Sequence, residues 1–228
     1  MNRSIANHKP FTTLVFDCDG VILNSNRIKT DAFRSVALRY GVDVAEALVQ
    51  FHVQHGGVSR YRKFEHLLAN ILGKVDNEKE VQTLASAYGE YVYRELLQCE
   101  IAPGLHELRK ATADHAWMVV SGGDEAELRR VFAARGLDVL FERGVHGSPA
   151  TKDVILQREL STANLELPAL FVGDSRYDHE AAQRAGLQFV FVHGWSEFQG
   201  WQAYCATHQI PIIEKLADLR AFVTNQIQ

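Results

Sequence analysis

The sequence predicts an α/β protein in which a doubly wound parallel sheet forms the core and a helical cap is inserted after its first strand. Three observations carry that expectation. An apolar, β-branched run, TTLVF, stands near the start at Thr12 to Phe16. A long stretch of helical periodicity without a strand follows it, and after IAPG (Ile101 to Gly104) strand-like and helix-like segments alternate. Alternation of this kind implies parallel strands joined by helical crossovers. The expected division is a core of residues 1–25 and 100–228 with a cap of residues 26–99.

Taken in order, TTLVF reads as a buried strand that stops at Asp17. From about Arg27 the apolar period changes: Ile28, Phe33, Val36, Ala37 and Tyr40 fall on one helical face, and Gly41 is placed to end that helix. Helical patterns continue over 44–54, 60–72 and 77–98, separated by Gly56-Gly57 and by GKVDN (Gly73 to Asn77). The second half then gives strand WMVVS, helix DEAELRRVFAARG, a short segment at Phe141, helix KDVILQRELS, strand PALFVGD, helix YDHEAAQRAG and strand LQFVFV. The tail adds a helix, a short strand near Ile210 to Ile213 and a closing helix. No internal repeat or low-complexity segment interrupts this order.

Composition narrows the function classes. A hydrophobic content of 46% and a charged content of 23% are those of a soluble globular protein, and runs such as Trp117 to Val120 are too short to span a bilayer. The net charge of −4 is spread without runs, which argues against a nucleic-acid or anionic-membrane surface. Stretches such as RYRKF (Arg60 to Phe64) are too small for a duplex footprint. The opening MNRSIANHKP lacks the apolar core of an export signal. Cys18, Cys99 and Cys205 are widely spaced and odd in number, giving neither a disulfide framework nor a zinc site. A cytoplasmic protein, monomer or homodimer, is expected, with a small molecule as its partner. Ten histidines are read as scattered, His52, His55 and His66 among them, and His179 as a solvated helix-start residue. Trp117, Trp195 and Trp201 read as packing residues.

The informative residues stand at strand ends, where open parallel sheets bind their ligands. The first strand delivers Asp17 and Asp19, and the WMVV strand delivers Ser121, Gly122 and Gly123. A helix begins near Lys152, and the ALFV strand delivers Asp174 and, a few residues on, Asp178. Asp124 and Glu127 read as helix cap and first-turn acid. Two acids one residue apart repel each other, and a cation relieves that repulsion. These acids, a lysine and a hydroxyl-glycine loop on one sheet edge describe an anion site containing a hard cation. Mg²⁺, which favours carboxylate oxygens, water and substrate phosphate, suits that set.

FDCDGVILNSN, VVSGGD, GSPATK and VGDSRYDHEAAQRAG, in this order and with a helical insert after the first, resemble the four motifs of the haloacid dehalogenase superfamily, in its phosphatase branch with a helical cap of the first type. The resemblance runs to about residue 193. It implies a fold like that of the superfamily and a Mg²⁺-dependent phosphatase acting on a small phosphate ester, phosphoglycolate-like or sugar-phosphate-like, through an aspartyl-phosphate. By the same resemblance Asp17 is the nucleophile and Asp19 the general acid and base. Ser121 and Gly122 bind the transferring phosphoryl group, and Lys152 offsets charge on Asp17 and phosphate. Asp174, Asp17 and the Asp19 carbonyl ligate the metal, with Asp178 in support. An acid at position 19 suits an alkoxide leaving group and argues against dehalogenation. The cap stretch HGGVSRYRKF resembles the cap loop of β-phosphoglucomutase, which keeps a sugar-phosphate mutase open as an alternative. Arg60 is the expected substrate grip, the alternative being a solvated Arg60 at the start of a surface helix capped by Ser59. A catalytically idle phosphate-binding protein is the remaining alternative. Asn24 and Asn26 depart from the acids frequent at these positions of the family, and neither is expected to carry chemistry.

Overall fold

A computed structural model describes residues 11–74 and 78–224. The polar opening segment and the end of the GKVDN break therefore lie outside the described residues. The strands are β1 (Thr13–Phe16), β2 (Ala116–Asp124), β3 (Val145–Ser148), β4 (Ala169–Gly173), β5 (Gln188–Val192) and β6 (Ile212–Ile213). They form one six-stranded sheet in the order β3-β2-β1-β4-β5-β6, every pair parallel. All four residues of β1 are buried, as a continuous apolar run in a central parallel strand requires.

Successive residues of a strand point to opposite faces, so each strand feeds two cores. Leu14, Phe16, Trp117, Val119 and Val172 contribute to one, and Val15, Met118, Val120 and Phe171 to the other. The first core continues into the insert, where Phe33, Leu48, Phe64 and Tyr88 join it. The insert consists of α1 (Asn26–Ala37), α2 (Val42–Gln54), α3 (Arg60–His66) and α4 (Glu78–Leu96). A π-helical turn, Leu67–Ile71, extends α3. Ser59 caps α3 by accepting a hydrogen bond from the Arg62 N–H at 3.5 Å. The chain enters and leaves the insert side by side. Leu23 bridges to Ile101, and the Asn24 N–H donates to the Glu100 carbonyl at 2.9 Å.

The remaining helices are α5 (Leu105–Ala111), α6 (Glu125–Ala134), α7 (Lys152–Ser161), α8 (Arg176–Arg184), α9 (Trp201–His208) and α10 (Leu219–Thr224). Three details differ from the sequence expectation. The third strand lies at Val145–Ser148, after Phe141, whose ring instead packs in the core 6.0 Å from Phe16 and 5.5 Å from Trp117. Strand β2 runs on through the two glycines to Asp124. Helix α5 follows IAPG directly, a short element that the punctuation of that stretch conceals. Among the described residues, no helix is long and apolar enough to cross a membrane.

Candidate active site

The site lies where the strand order reverses. β1 sits between β2 and β4, with Phe16 in register with both Val119 and Val172, so the segments after all three strands emerge on one edge. Asp17 continues β1 and its N–H donates to the Val172 carbonyl at 2.9 Å. Asp17 as a whole is 3% exposed.

Lys152 opens α7 and reaches back under the sheet edge. Its Nζ lies 2.8 Å from Asp17 Oδ1 and also binds Asp178 Oδ1. The contact with Asp17 is an ion pair whose angles fall short of a hydrogen bond, and Oδ1 has no hydrogen-bond partner among the described residues. Asp178 is held from its other side by Ser175, which caps α8. Ser175 donates its N–H at 3.0 Å and its hydroxyl at 2.6 Å to Asp178 Oδ2. The Asp178 N–H returns a hydrogen bond to Ser175 Oγ, completing a capping box.

Carboxylate oxygens of Asp17, Asp174 and Asp178 all lie within 4.8 Å of one another, and all three residues are buried. Crowding of like charge has the expected electrostatic result. Burial, with repulsion from Asp178 and Asp19, raises the Asp17 carboxyl to about 7 against the pull of Lys152. Burial and the same neighbours, Asp17 and Asp178, push Asp174 well above the carboxylate range. A buried Asp17 oxygen met only by an ion pair, with Asp174 also resisting ionisation and Asp178 within reach, makes the donor set a hard divalent cation fits.

Asp19 is in a different state. Burial works to raise its carboxyl, but the Lys29 ammonium and the Ser25 hydroxyl, donating at 2.6 Å, outweigh burial and hold it below the usual carboxylate range. Lys29 comes from α1 of the insert, so Asp19 is bound by the cap. Asn26, the first residue of α1, donates to Asp174 Oδ2 at 2.7 Å and to the Trp195 carbonyl at 2.9 Å. Gly20 makes room for that contact. It adopts φ +74°, and a Cβ there would stand 2.2 Å from Asp174 Oδ2.

Ser121 is fully buried on β2, with its Oγ accepting from the Gly123 N–H at 3.0 Å. Gly122 faces the insert, whose Gly56-Gly57 loop is seated on it. The cavity enclosed between insert and sheet edge measures about 340 Å³ and is lined by Asp17, Asp19 and Asp174 on the sheet side, and by Lys29, Arg60 and Lys63 from the helices above. Arg60 donates to Glu127 of α6 from Nη1 at 3.0 Å and from Nη2 at 2.5 Å, and its guanidinium lies over the Tyr88 ring. The residue expected to grip substrate thus joins insert to core in this arrangement. Asp124 caps α6 as expected, accepting from the Glu127 N–H at 3.0 Å.

The structure therefore brings together Asp17, Asp19, Asp174, Asp178 and Lys152, sets Gly122 on the cavity wall and Ser121 beside it. It adds Lys29, Asn26 and Ser25, which the motifs did not single out. Asn26, expected to carry no chemistry, touches a site carboxylate. His179 is neither solvated nor in the site: it is buried, with Nδ1 2.8 Å from the Tyr204 hydroxyl. His55 and His66 stack on Phe51 at 4.0 and 3.6 Å. Cys18 is a buried filler between the two acids.

A model of haloacid dehalogenase-like hydrolases matches residues 11–186. No curated protein matches the chain. Solved structures share the fold at low identity. A phosphonoacetaldehyde hydrolase-like protein from Oleispira antarctica is 17% identical with a TM-score of 0.74, covering 100% of this chain and 96% of that one. A predicted phosphoglycolate phosphatase from Haemophilus somnus is 22% identical, TM-score 0.69, with 94% and 99% covered. The β-phosphoglucomutase from Clostridium difficile is 16% identical, TM-score 0.70, with 95% and 96% covered.

Proposed function

Since this chain belongs to the haloacid dehalogenase-like hydrolases, we propose that it is a phosphomonoesterase for a small phosphorylated metabolite, phosphoglycolate-like or sugar-phosphate-like, working through an aspartyl-phosphate on Asp17. The observation that carries this reading is the buried Asp17 carboxylate, ion-paired with Lys152 through Oδ1 and within reach of Asp174 and Asp178. A carboxylate attacking a dianionic phosphate is repelled unless fixed cations offset the charge beforehand. Residues 26–99 act as the cap and 1–25 with 100–228 as the core. The setting is cytoplasmic, with the protein a monomer or homodimer.

In this reading Asp17 forms the new oxygen–phosphorus bond while the bond from phosphorus to the leaving oxygen breaks. The leaving oxygen takes a proton from Asp19. Water then surrenders a proton to Asp19 and attacks phosphorus, releasing inorganic phosphate and restoring Asp17. Lys152 balances Asp17 and a phosphoryl oxygen, and Ser121 with the Gly122 N–H holds the transferring group. Asp17, Asp174 and the Asp19 carbonyl would hold Mg²⁺, with Asp178 in support; bound there, the ion supplies charge neutralisation for the phosphoryl oxygens. Lys29 keeps Asp19 ionised in the arrangement described, which suits the base half of its role. For the acid half Asp19 first takes up a proton from solvent, which it then passes to the leaving oxygen.

A mutase is the second reading, favoured by the loop of Gly57 seated over Gly122, since exclusion of water prolongs an aspartyl-phosphate. Phosphate release from para-nitrophenyl phosphate and a panel of small esters, with Mg²⁺ and with EDTA, beside Asp17→Asn, tests the first reading. Mg²⁺-dependent turnover lost in the variant is expected. Full activity in Asp17→Asn would sink it, and isomerisation of a sugar phosphate with a bisphosphate activator would favour the mutase.

A further inference from the structure

Four cationic side chains are buried among the described residues: Lys29, Arg60, Lys63 and Lys152. Three have a carboxylate. Lys29 is paired with Asp19, Arg60 with Glu127, and Lys152 with Asp17 and Asp178. Lys63 has none within ion-pairing distance among the described residues. Its Nζ is 2.6 Å from His52 Nδ1 and lies over the Phe33 ring at 5.4 Å. His52 is itself buried, and Nδ1 and the Lys63 amine share this one hydrogen bond.

A charge taken out of water without a counter-ion is costly, and such groups are normally paired or shed their charge. Lys63 is under that pressure. Burial, and then the Lys29 ammonium, push its amine down to about 7, with Asp19 and Glu197 pulling the other way. Yet both Lys63 and His52 line the same 340 Å³ cavity as Asp17 and Asp19. They do so from α2 and α3 of the helical insert, whereas Asp17 and Asp19 follow β1 of the sheet. A ligand with its phosphoryl group at Asp17 and the rest of its bulk in this cavity has both side chains among the groups that surround it.

We infer that Lys63 and His52 form a subsite for a second anionic group, a carboxylate or a further phosphate, carried on the leaving-group side of the substrate. The inference rests on the proposed phosphatase reading for the position of the first phosphoryl group. It deepens that reading by excluding esters of plain alcohols as preferred substrates. The chemistry is that of completion: the ligand's oxyanion supplies the counter-ion that the protein withholds from Lys63, and the His52 ring fixes the ammonium in place. Lys29 does not serve this end while Asp19 holds it, and Arg60 does not while Glu127 holds it. The small volume keeps the two anionic groups only a few carbons apart.

The test is calorimetric binding in the presence of Mg²⁺, using phosphonates that are not turned over. Phosphonoacetate carries a carboxylate, methylenediphosphonate a second phosphorus group, and ethylphosphonate neither. At least one of the first two is expected to bind wild type ten-fold or more tightly than ethylphosphonate, and which one does so identifies the group. Lys63→Met, and independently His52→Gln, are expected to bring that ratio close to one while the affinity for ethylphosphonate moves less than about two-fold. Equal affinity for all three in wild type, or a preference that survives Lys63→Met, overturns the subsite. Para-nitrophenyl phosphate is assayed alongside. Absent turnover there counts against the phosphatase reading alone, because the phosphonate ratios decide the subsite without it.

Discussion

The carbonyl oxygen of Gly57, in the cap loop, occupies the space a Cβ on Gly122 would need, 2.0 Å from it. Both partners are backbone, so a methyl group at position 122 displaces the whole loop rather than one rotamer. Gly122→Ala is therefore expected to hold the cap away from the sheet edge. A fall of ten-fold or more in kcat/KM toward small esters, with more rapid proteolysis in residues 55–60 and little change in Tm, is the expected pattern. Unchanged kinetics would show that this closed contact is not the working state.

The Arg60 to Glu127 pair spans from cap to core with both members buried. Removing one member of such a pair leaves the other charged and desolvated, typically at a cost of about 3–5 kcal/mol. Arg60→Met is expected to lower urea stability by that order, and the double variant Arg60→Met/Glu127→Leu to recover most of it. A double variant as unstable as the sum of its single variants would contradict the coupling.

Asn26 orients Asp174 through a 2.7 Å hydrogen bond. Partners that orient a metal ligand typically contribute about 10–100-fold to metal affinity or activity. Asn26→Ala is expected to shift the Mg²⁺ concentration for half-maximal activity upward by at least about ten-fold, with chelator inactivating it sooner than wild type. An unchanged Mg²⁺ titration would remove Asn26 from the metal's support.

Much of this site was legible because its residues follow strands, and strand ends in a parallel sheet meet at one edge whatever the loops between them do. Asp17, Asp174 and the lysine at the start of α7 needed only that rule. Lys29 and Lys63 were harder. They occupy positions where helical period calls for apolar residues: Arg60, Lys63, Phe64, Leu67 and Leu68 are the buried set around α3, and Lys29 shares its buried face with Phe33 and Val36. A cation inside an apolar stripe is visible in sequence, but which carboxylate or ligand answers it depends on how the cap meets the core, and that contact joins residues far apart in the chain. Asn26 was passed over for the same reason, since its partner lies 148 positions away. The third strand was legible only as a short segment near Phe141, because Val145–Ser148 (VHGS) holds one large apolar residue and no strand-like run.

The unpaired Lys63 fixes the sign of one pH effect. Its amine titrates near 7 in the folded chain and at its ordinary 10.5 when unfolded. Between those values the unfolded state binds the extra proton, so stability rises with pH there. The penalty is fully present below about pH 7 and is gone above 10.5. The slope from a single such group is at most about 1.4 kcal/mol per pH unit. His52, Lys29, Asp19 and Glu197 also act on the amine, so the measurement is the difference between wild type and Lys63→Met, which cancels titrations the two proteins share. At pH 7 the variant is expected to be the more stable of the two by urea unfolding, and by pH 9 the gap should narrow by roughly 2 kcal/mol. A gap that stays constant over this range would mean that Lys63 keeps its proton on folding, with a counter-charge that the closed structure does not contain. A narrowing gap, together with a loss of preference for ligands with a second anionic group in the same variant, would show a buried cation that destabilises the fold and is used by the site.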